Sequence, residues 1–319
     1  MRTVHAIGVF LCMTVGQLQP ALAQAPCAPD PTKLGVSRTV VLDTAPGPRF
    51  GSQYKEASFL ADGEVVLTFD DGPMRTFTKL VLEALAVHCT KATFFMVGRM
   101  ALFDPQMVKE VARQGHTVAT HTWSHANLHR LTPAEAQVEI EMGVSAVHHA
   151  LGKPISPLFR FPYLRDTEAT LIHLQGRQFA AIGIDIDSRD FQTKSAVAVS
   201  ERVLNELTVK RKGVILLHDI HASTAGALPL LLAELKERGF KVVHLRTKAQ
   251  AQTVAHYDDL ARQEAERMRL VVAKQPLAKR TLRGPSTVFS EAAKLPPATS
   301  RPAPRKDADS DWLTNIWRW

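Results

Sequence analysis

The sequence predicts an α/β fold in which strands and helices alternate around a largely parallel sheet. Between residues 64 and 245, short apolar runs alternate with longer segments of helical periodicity, which is typical of repeated βα units. The chain has 319 residues, 45% of them hydrophobic, so it can bury one large core, and α/β barrels commonly use about this length as a single domain. We therefore expect one main domain, at residues 63–248, with a barrel-like number of strands.

Seven apolar runs are predicted as strands, and six segments between them as helices. The predicted strands are Val65–Phe69, Ala92–Val97, Thr117–Thr120, Leu158–Phe161, Phe179–Ile184, Val214–Leu217 and Lys241–His244. The predicted helices are Phe77–His88, Pro105–Gln114, Pro133–Leu151, Asp166–Gln175, Ser195–Lys210 and Ala225–Arg238. The third helix has the clearest start, because Thr132 and Glu135 form a capping box and Pro133 suits the first turn. Gly152 ends it.

The N-terminus reads as a secretory signal peptide at residues 1–23. An apolar run from Ala6 to Val15 is followed by the small-x-small sequence Ala21-Leu22-Ala23. The run is too short for a transmembrane segment, which needs roughly 20 apolar residues. We therefore expect export to the periplasm or the extracellular space. Residues 24–62 are rich in Pro and Gly and are expected to form an N-terminal extension on the domain surface.

The C-terminal residues 249–319 have a different composition and are expected to form a largely disordered tail. A polar, helix-compatible stretch reaches Arg269, and Pro- and Lys-rich sequence then continues to the aromatic end at Trp312–Trp319. The net charge is +8, so this basic and aromatic tail either associates with anionic envelope polymers or only adds solubility. No nucleic-acid recognition motif accompanies the charge, and nucleic acid is not an expected partner.

Cysteine usage leaves the disulfide question open. Cys12 belongs to the expected signal peptide, which leaves Cys27 and Cys89. In an oxidising compartment the two can pair, although Cys27 lies in an irregular segment and Cys89 near a helix end. Neither is a candidate nucleophile, because neither stands in a recognisable setting with His and Asn.

Two adjacent carboxylates, Asp70 and Asp71, follow the apolar run that begins at Val65, and Gly72-Pro73 then stops the strand. Successive strand side chains point to opposite faces, so the two carboxylates can share a sheet edge without competing for one position. One carboxylate can bind a metal while the other handles a proton, as metal-assisted hydrolysis requires. By itself, the pair is equally consistent with a turn that merely ends a strand.

A pair of histidines makes the hydrolytic interpretation stronger. His121 and His125 follow the predicted strand Thr117–Thr120. Two neutral imidazoles and one carboxylate provide three protein ligands and leave a position for water, as in a catalytic zinc site. Non-haem iron oxygenases use the same ligand types, but their usual His-x-Asp pair is absent here. His221 is a further candidate at the rim.

Five motifs together resemble the polysaccharide deacetylase family, the carbohydrate esterases that share the nodulation-protein-B homology domain. They are Thr-Phe-Asp-Asp-Gly at 68–72, His-Thr-Trp-Ser-His at 121–125, Arg-Phe-Pro-Tyr at 160–163, Asp-Ser-Arg-Asp at 187–190 and Leu-Leu-His at 216–218. They occur in the family's order, which is a far more specific signal than Asp-Asp-Gly alone. The resemblance implies a distorted seven-stranded (β/α) barrel, matching the predicted strand count.

The resemblance also implies a role for each matching residue. Asp71, His121 and His125 would bind a divalent metal, usually zinc, and Asp70 would be the general base. His218 would be the general acid, and the backbone N–H of Tyr163 would stabilise the oxyanion. Arg160 would orient Asp70, and Asp190 would hold His218. The substrate pocket would be lined by Leu216, Pro162 and Trp123.

The expected function is an exported, metal-dependent enzyme that removes the N-acetyl group from N-acetylglucosamine in a polysaccharide or oligosaccharide. Peptidoglycan, chitooligosaccharides and exopolysaccharides all carry this group. One alternative is an O-acetyl esterase of the xylan type, and another is a non-catalytic envelope protein that binds polysaccharide. The fourth motif also departs from the family: Ile184 and Phe191 occur where tryptophans usually flank its Asp.

Overall fold

The computed structural model describes residues 30–56 and 58–274, and within them the chain forms ten strands and eight α-helices. The strands are β1 Arg38–Leu42, β2 Arg49–Phe50, β3 Glu64–Asp70, β4 Thr93–Met96, β5 Thr117–Thr120, β6 Leu158–Phe159, β7 Ala180–Ile182, β8 Ile186–Asp187, β9 Gly213–His218 and β10 Lys241–Thr247. The helices are α1 Arg75–Val87, α2 Gly98–Phe103, α3 Pro105–Arg113, α4 Pro133–Leu151, α5 Glu168–Gly176, α6 Ala196–Lys210, α7 Ala222–Glu237 and α8 Ala255–Lys274. All seven predicted strands and six predicted helices are present; β5 and α4 have the predicted ends, and the others have shifted ends.

The strands pair in parallel, and β3 lies at the centre of the arrangement. It pairs with β4, β9 and β10, while β4, β5, β6 and β7 follow one another in chain order. This is the distorted barrel that the sequence predicted. In the pairing of β3 with β9, Asp70 lies opposite His218. The parallel arrangement therefore brings the carboxyl ends of the strands, and the polar motifs that follow them, to one end of the barrel.

The side-chain alternation along β3 explains how this strand carries both core and polar groups. Val65, Leu67 and Phe69 pack in the large apolar cluster that the helices cover. Val66 faces the other way, into a second cluster made mostly of strand residues. Thr68 and Asp70 share the face of Val66 because side chains two residues apart point the same way. Asp70 therefore lies at the upper end of the inner face of the strand.

The N-terminal extension contributes strands to the sheet, which the sequence analysis did not anticipate. β1 pairs in parallel with β10, and β2 pairs with β7. The Arg38 guanidinium also binds both carboxylate oxygens of Glu64, at 2.6 Å each. Because strands at an open sheet edge have unpaired backbone groups, an extended segment with β-branched residues is stabilised there. Residues 38–50 are thus part of the folded domain.

The expected domain end at residue 248 is too early. Helix α8 packs against α4 and α2, and Ala261 and Met268 on it are buried, at 0% and 3% exposure. The connecting segment is also fixed, since the Ala251 N–H donates to the Ile155 carbonyl at 2.9 Å. The helix-compatible stretch up to Arg269 was assigned to the tail because most of its residues are polar and only a narrow apolar stripe faces the domain.

Several expectations lie outside the described residues. These are the signal peptide at 1–23, Cys27 and the part of the tail beyond residue 274. Cys89 is disulfide-bonded, and its partner is not among the described residues. No helix in the described part of the chain is long and apolar enough to cross a membrane.

Candidate active site

The turn after β3 brings both aspartates to the same side of the barrel mouth. Asp70 is the last strand residue, and Asp71 has a φ of 74°, in the left-handed region. This conformation breaks the strand alternation that would have directed the two carboxylates to opposite faces. Asp70 Oδ2 and Asp71 Oδ1 lie 3.8 and 3.6 Å from the same atom, His121 Nε2. Both carboxylates are almost completely buried, at 2% and 6% exposure.

Asp71, His121 and His125 form a compact buried cluster. Asp71 Oδ1 lies 3.6 Å from His121 Nε2 and 3.3 Å from His125 Nε2. His121 Nδ1 is 2.7 Å from the Arg160 carbonyl oxygen. A carbonyl can only accept, so Nδ1 carries the proton and the lone pair of His121 is on Nε2, facing Asp71. The loop is held by the His125 N–H, which donates to Thr122 Oγ1 at 3.0 Å.

This cluster fits a divalent metal. Neighbouring ligands of a tetrahedral zinc with bonds of about 2.0–2.1 Å are about 3.3 Å apart, close to the spacings seen here. Asp71 Oδ1 is buried and has no hydrogen-bond partner among the described residues. Burial lowers the pKa of both imidazoles, that of His121 to about 3, so both are neutral as ligands must be. Burial by itself would raise the pKa of Asp71, but nearby positive charge, to which the His218 imidazolium contributes, outweighs it and lowers that pKa, so Asp71 is anionic.

Arg160 holds Asp70 in one orientation. Its side chain is completely buried, and Nη1 donates to Asp70 Oδ1 and to Thr68 Oγ1, both at 2.8 Å. The rest of the guanidinium donates to the carbonyls of Ile182 and Gly183, and its Cζ lies 4.3 Å from the centre of the Phe95 ring. Despite this cation, burial raises the pKa of Asp70 to about 6. Asp70 is therefore a fixed carboxylate with a proton affinity suited to a base near neutral pH.

His218 and Asp190 form a second cluster with the opposite electrostatic character. Asp190 Oδ1 accepts from His218 Nδ1 at 2.7 Å, and Asp190 Oδ2 accepts from the His218 N–H at 2.7 Å and from Thr224 Oγ1. Burial by itself would lower the pKa of His218, but the charge and hydrogen bond of Asp190 outweigh it and raise that pKa to about 10. His218 is thus an imidazolium whose Nε2–H is available as an acid.

His221 completes a second group of potential metal ligands with Asp190 and His218, all within 4.8 Å. Both carboxylate oxygens of Asp190 are already used by His218 and Thr224. Asp71 differs, because its Oδ1 has no hydrogen-bond partner among the described residues. The Asp190 group is therefore arranged for proton transfer, and the Asp71 group for binding a cation.

The remaining predicted residues lie in different environments. Tyr163 has a φ of 58° and is 43% exposed, and its ring lies edge-on to His125 with centroids 4.8 Å apart. Pro162, just before it, is buried, and Leu216 is 6% exposed two residues before His218. The Tyr163 ring therefore lies beside His125 of the metal-type cluster, and Leu216 shares a face of β9 with His218.

The expectation that Trp123 lines the substrate pocket is corrected by the structure. Its side chain is 3% exposed, and a Cβ on Gly98 would lie only 2.9 Å from its ring. The Arg99 guanidinium covers it at 5.3 Å from the ring centroid. Trp123 therefore packs between the loop and α2 and offers no face to a sugar. The motif could not reveal this, because Gly98 and Arg99 are distant in sequence.

Two aspects of the site were missed from the sequence. Asp219, directly after His218, is a buried carboxyl group at 1% exposure, and only its position beside a motif could have drawn attention to it. Glu139 accepts hydrogen bonds from the Ser124 N–H at 2.9 Å and from Ser124 Oγ at 2.7 Å. It thereby fixes the loop before His125. No local signal identifies Glu139, because it lies in α4, 15 residues away from Ser124.

Comparison with known proteins places this geometry in a family. Residues 60–179 match the family model described as polysaccharide deacetylase. A chitooligosaccharide deacetylase of Sinorhizobium fredii is 32% identical over 189 residues, which cover 55% of this chain and 87% of that protein. This chain belongs to the polysaccharide deacetylase family.

Two further relatives extend the similarity. Peptidoglycan-N-acetylglucosamine deacetylase PgdA of Listeria monocytogenes is 30% identical over 223 residues, 68% of this chain. The match spans only 46% of PgdA, so the chain covers about half of that relative. The solved structure of a peptidoglycan deacetylase of Bdellovibrio bacteriovorus is similar with a TM-score of 0.61 and 33% identity, covering 66% of this chain and 59% of that one. The polysaccharide deacetylase fold thus extends over about two thirds of this chain.

Proposed function

We propose that this polysaccharide deacetylase family member is an exported N-deacetylase that hydrolyses the N-acetyl group of N-acetylglucosamine residues in an envelope glycan. One observation carries the proposal. A buried carboxylate with a raised pKa, Asp70, and an imidazolium, His218, lie on paired strands beside the buried cluster of Asp71, His121 and His125. A base and an acid beside a cation site are the groups that metal-assisted amide hydrolysis needs.

Each side chain has a defined part in this proposal. Asp71, His121 and His125 would hold a divalent cation, most simply zinc, which when bound supplies Lewis-acid polarisation of the acetamide carbonyl and activates water. Asp70, fixed by Arg160, accepts the proton of the attacking water. The backbone N–H of Tyr163 would stabilise the oxyanion that forms on the carbonyl oxygen.

The acid half completes the reaction. His218 donates its Nε2 proton to the nitrogen of the departing amine, and Asp190 holds the ring and stabilises its charge. The products are acetate and a glucosamine residue. The buried Leu216 lies two positions before His218 and is suited to contact the acetyl methyl group.

The raised pKa of His218 favours an amide over an ester substrate. An amine leaves from a tetrahedral adduct only after protonation, whereas an alkoxide leaves more easily. A histidine with a pKa of about 10 stays protonated until it is needed. We therefore prefer the N-deacetylase over the O-acetyl esterase. The joint presence of Asp70, Asp190 and His218 also argues against a non-catalytic polysaccharide-binding protein.

Acetate release from three substrates tests the proposal. Purified protein loaded with zinc should release acetate from N-acetylated chitooligosaccharides or peptidoglycan fragments, and not from acetylated xylan. The opposite preference would make it an esterase, and no release from any of them would contradict an enzymatic role.

Two matched variants test the division of labour between the aspartates. Asp70→Asn should abolish acetate release while zinc still binds, because its carboxylate acts as the base. Asp71→Asn should weaken zinc binding itself, by about 10-fold or more, as measured by competition with a chelator. Equal loss of zinc in both variants would show that the two carboxylates act together as ligands.

A further inference from the structure

Asp219 is a buried carboxyl group for which the proposed reaction has no use. It follows His218 at the end of β9 and is 1% exposed. Its Oδ2 accepts a hydrogen bond from Thr78 Oγ1 at 2.5 Å, and Thr78 is itself completely buried. Its Oδ1 has no hydrogen-bond partner among the described residues. A buried carboxyl group is costly to maintain, so its location needs an explanation.

The carboxyl group of Asp219 packs directly on Gly72, the residue after Asp71. A Cβ atom on Gly72 would lie 2.2 Å from Asp219 Oδ1 and 2.3 Å from Oδ2. Gly72 is not among the glycines with positive φ. The need for glycine here is therefore steric: the carboxyl group occupies the space that a side chain at position 72 would fill.

A hydrogen-bond chain connects Asp219 to the other end of the same turn. The hydroxyl of Thr78 donates to Asp219 and accepts from the Met74 N–H at 2.8 Å. Met74 is the N-cap of α1 and has no side-chain cap of its own. Asp219 thus contacts the turn at Gly72 and, through Thr78, holds it again at Met74.

We propose that Asp219 is a positioning residue that fixes the turn carrying Asp70 and Asp71 against the strand carrying His218. This inference rests on the proposed function, in which Asp70 is the base and His218 the acid. Those two groups must keep their separation across one substrate bond, and a misplacement of about 1 Å can cost about 100-fold in rate. The side chain of Asp219 contacts the turn that carries Asp70, and Asp219 directly follows His218 in the chain.

The conservative substitution Asp219→Asn preserves shape and the acceptor for Thr78. Burial and the nearby Asp71 and Asp70 raise the pKa of Asp219 to about 7, so a neutral group is compatible with the site. We expect Asp219→Asn to stay within about 5-fold of wild type, and Asp219→Ala to lose about 10- to 100-fold in kcat with little change in KM. Asp62→Ala, which removes an exposed carboxylate paired with Arg211, is the matched control.

A steric pair of variants tests the contact independently of activity. Gly72→Ala should place a methyl group against the Asp219 carboxyl group and lower both the Tm of the metal-free protein and its zinc affinity. Adding Asp219→Ala should restore part of both losses, because the methyl group then has space. Asp219→Ala alone should weaken zinc binding by about 10-fold, since the turn carries Asp71.

The outcomes separate this inference from the proposed function. Recovery in the double variant, together with rescue by Asn, supports positioning by Asp219. An Asp219→Ala variant with unchanged kcat and zinc affinity, or a double variant no better than Gly72→Ala, overturns it. If wild-type protein releases no acetate, the proposed function fails, while Tm and zinc affinity still decide whether Asp219 holds the turn.

Discussion

The site has a metal half, formed by Asp71, His121 and His125, and an acid half, formed by Asp190 and His218. Both halves combine aspartate with histidine, yet their histidines reach opposite protonation states. His121 and His125 on the metal side have lowered pKa values, whereas His218 on the acid side has a pKa raised to about 10. All three imidazoles are buried or nearly so. Their partners differ: His121 Nδ1 faces a backbone carbonyl, and His218 Nδ1 faces a carboxylate. For His121 and His218, the partner of Nδ1 therefore determines whether the ring is suited to be a ligand or an acid.

The aspartates show the same contrast. Both oxygens of Asp190 are hydrogen-bonded, so its charge is committed to His218. Asp71 Oδ1 has no hydrogen-bond partner among the described residues, although it lies within 3.6 Å of two imidazoles. A satisfied carboxylate orients a proton donor, and an unsatisfied one is ready for a cation. The predictions below disturb one half at a time.

Removing a ligand from the metal half should have the largest effect. His125→Ala should lower kcat/KM for deacetylation by about 1,000-fold or more, because it removes a ligand and with it the electrostatic stabilisation supplied by the cation. The protein should stay folded, since the ligands lie at the rim of the core. His129→Ala is the matched control, because His129 is exposed in the same segment.

Zinc content, the far-UV spectrum and acetate release would be measured together. A His125→Ala variant that binds zinc as wild type does and remains active would remove this cluster from the proposed mechanism. Full activity of the wild-type protein after complete removal of metal would have the same consequence.

Converting the acid half should have the next largest effect. Asp190→Asn removes the anion that raises the pKa of His218, so that pKa should fall. The acid must be protonated to act, and activity should therefore be lost at a lower pH than in wild type, with a decrease of about 100- to 10,000-fold at pH 8. Zinc affinity should be unchanged. Asp187→Asn, three residues earlier and partly exposed, serves as control.

The pH dependence of kcat/KM gives the decisive measurement. If the alkaline limb of the profile in Asp190→Asn coincides with that of wild type, His218 is not the group that titrates there. A loss of zinc from the same variant would mean that the two halves are not independent.

Loosening the support of the metal loop should have a smaller effect confined to one half. Glu139→Gln replaces the carboxylate that accepts from the Ser124 N–H and Ser124 Oγ. We expect zinc affinity to fall by about 10- to 100-fold, as for other residues that orient ligands, with the alkaline limb of the pH profile unmoved. Glu135→Gln, in the exposed capping box of the same helix, is the control. Equal zinc affinity in both variants would contradict the assignment.

The sequence predicted seven of the ten strands from local apolar runs, and the five motifs predicted the polar residues at their ends. It could not predict the φ of 74° at Asp71, which brings both carboxylates to His121, because strand alternation suggests the opposite. Trp123 and Asp219 were also beyond reach, since their roles depend on Gly98 and Gly72, contacts that only the folded chain creates. The stretch of α8 was predicted as helix-compatible, but its packing on the domain was not, because two buried residues, Ala261 and Met268, are too few to stand out from a polar segment.

The smallest predicted effect concerns the exposed ring beside the acid half. Phe191 is 52% exposed, and its ring lies edge-on to His218 with centroids 5.7 Å apart. It touches the acid without a hydrogen bond, so its loss should affect sugar binding more than proton transfer. Phe191→Ala should raise KM for a chitooligosaccharide by about 3- to 10-fold, the range expected for one aromatic contact, and Phe191→Trp should lower or keep it.

Whether Phe191→Ala changes KM or kcat decides whether this ring binds the sugar or controls His218. If Phe191→Ala instead lowers kcat and shifts the alkaline limb, the ring controls the environment of His218 and belongs to the acid half. Val197→Ala, an equally exposed apolar residue at 53% on α6, controls for the general loss of surface hydrophobicity. An effect on KM alone would place the sugar on the side of the site where His218 and Phe191 lie, whereas the exposed ring of Tyr163 lies against His125.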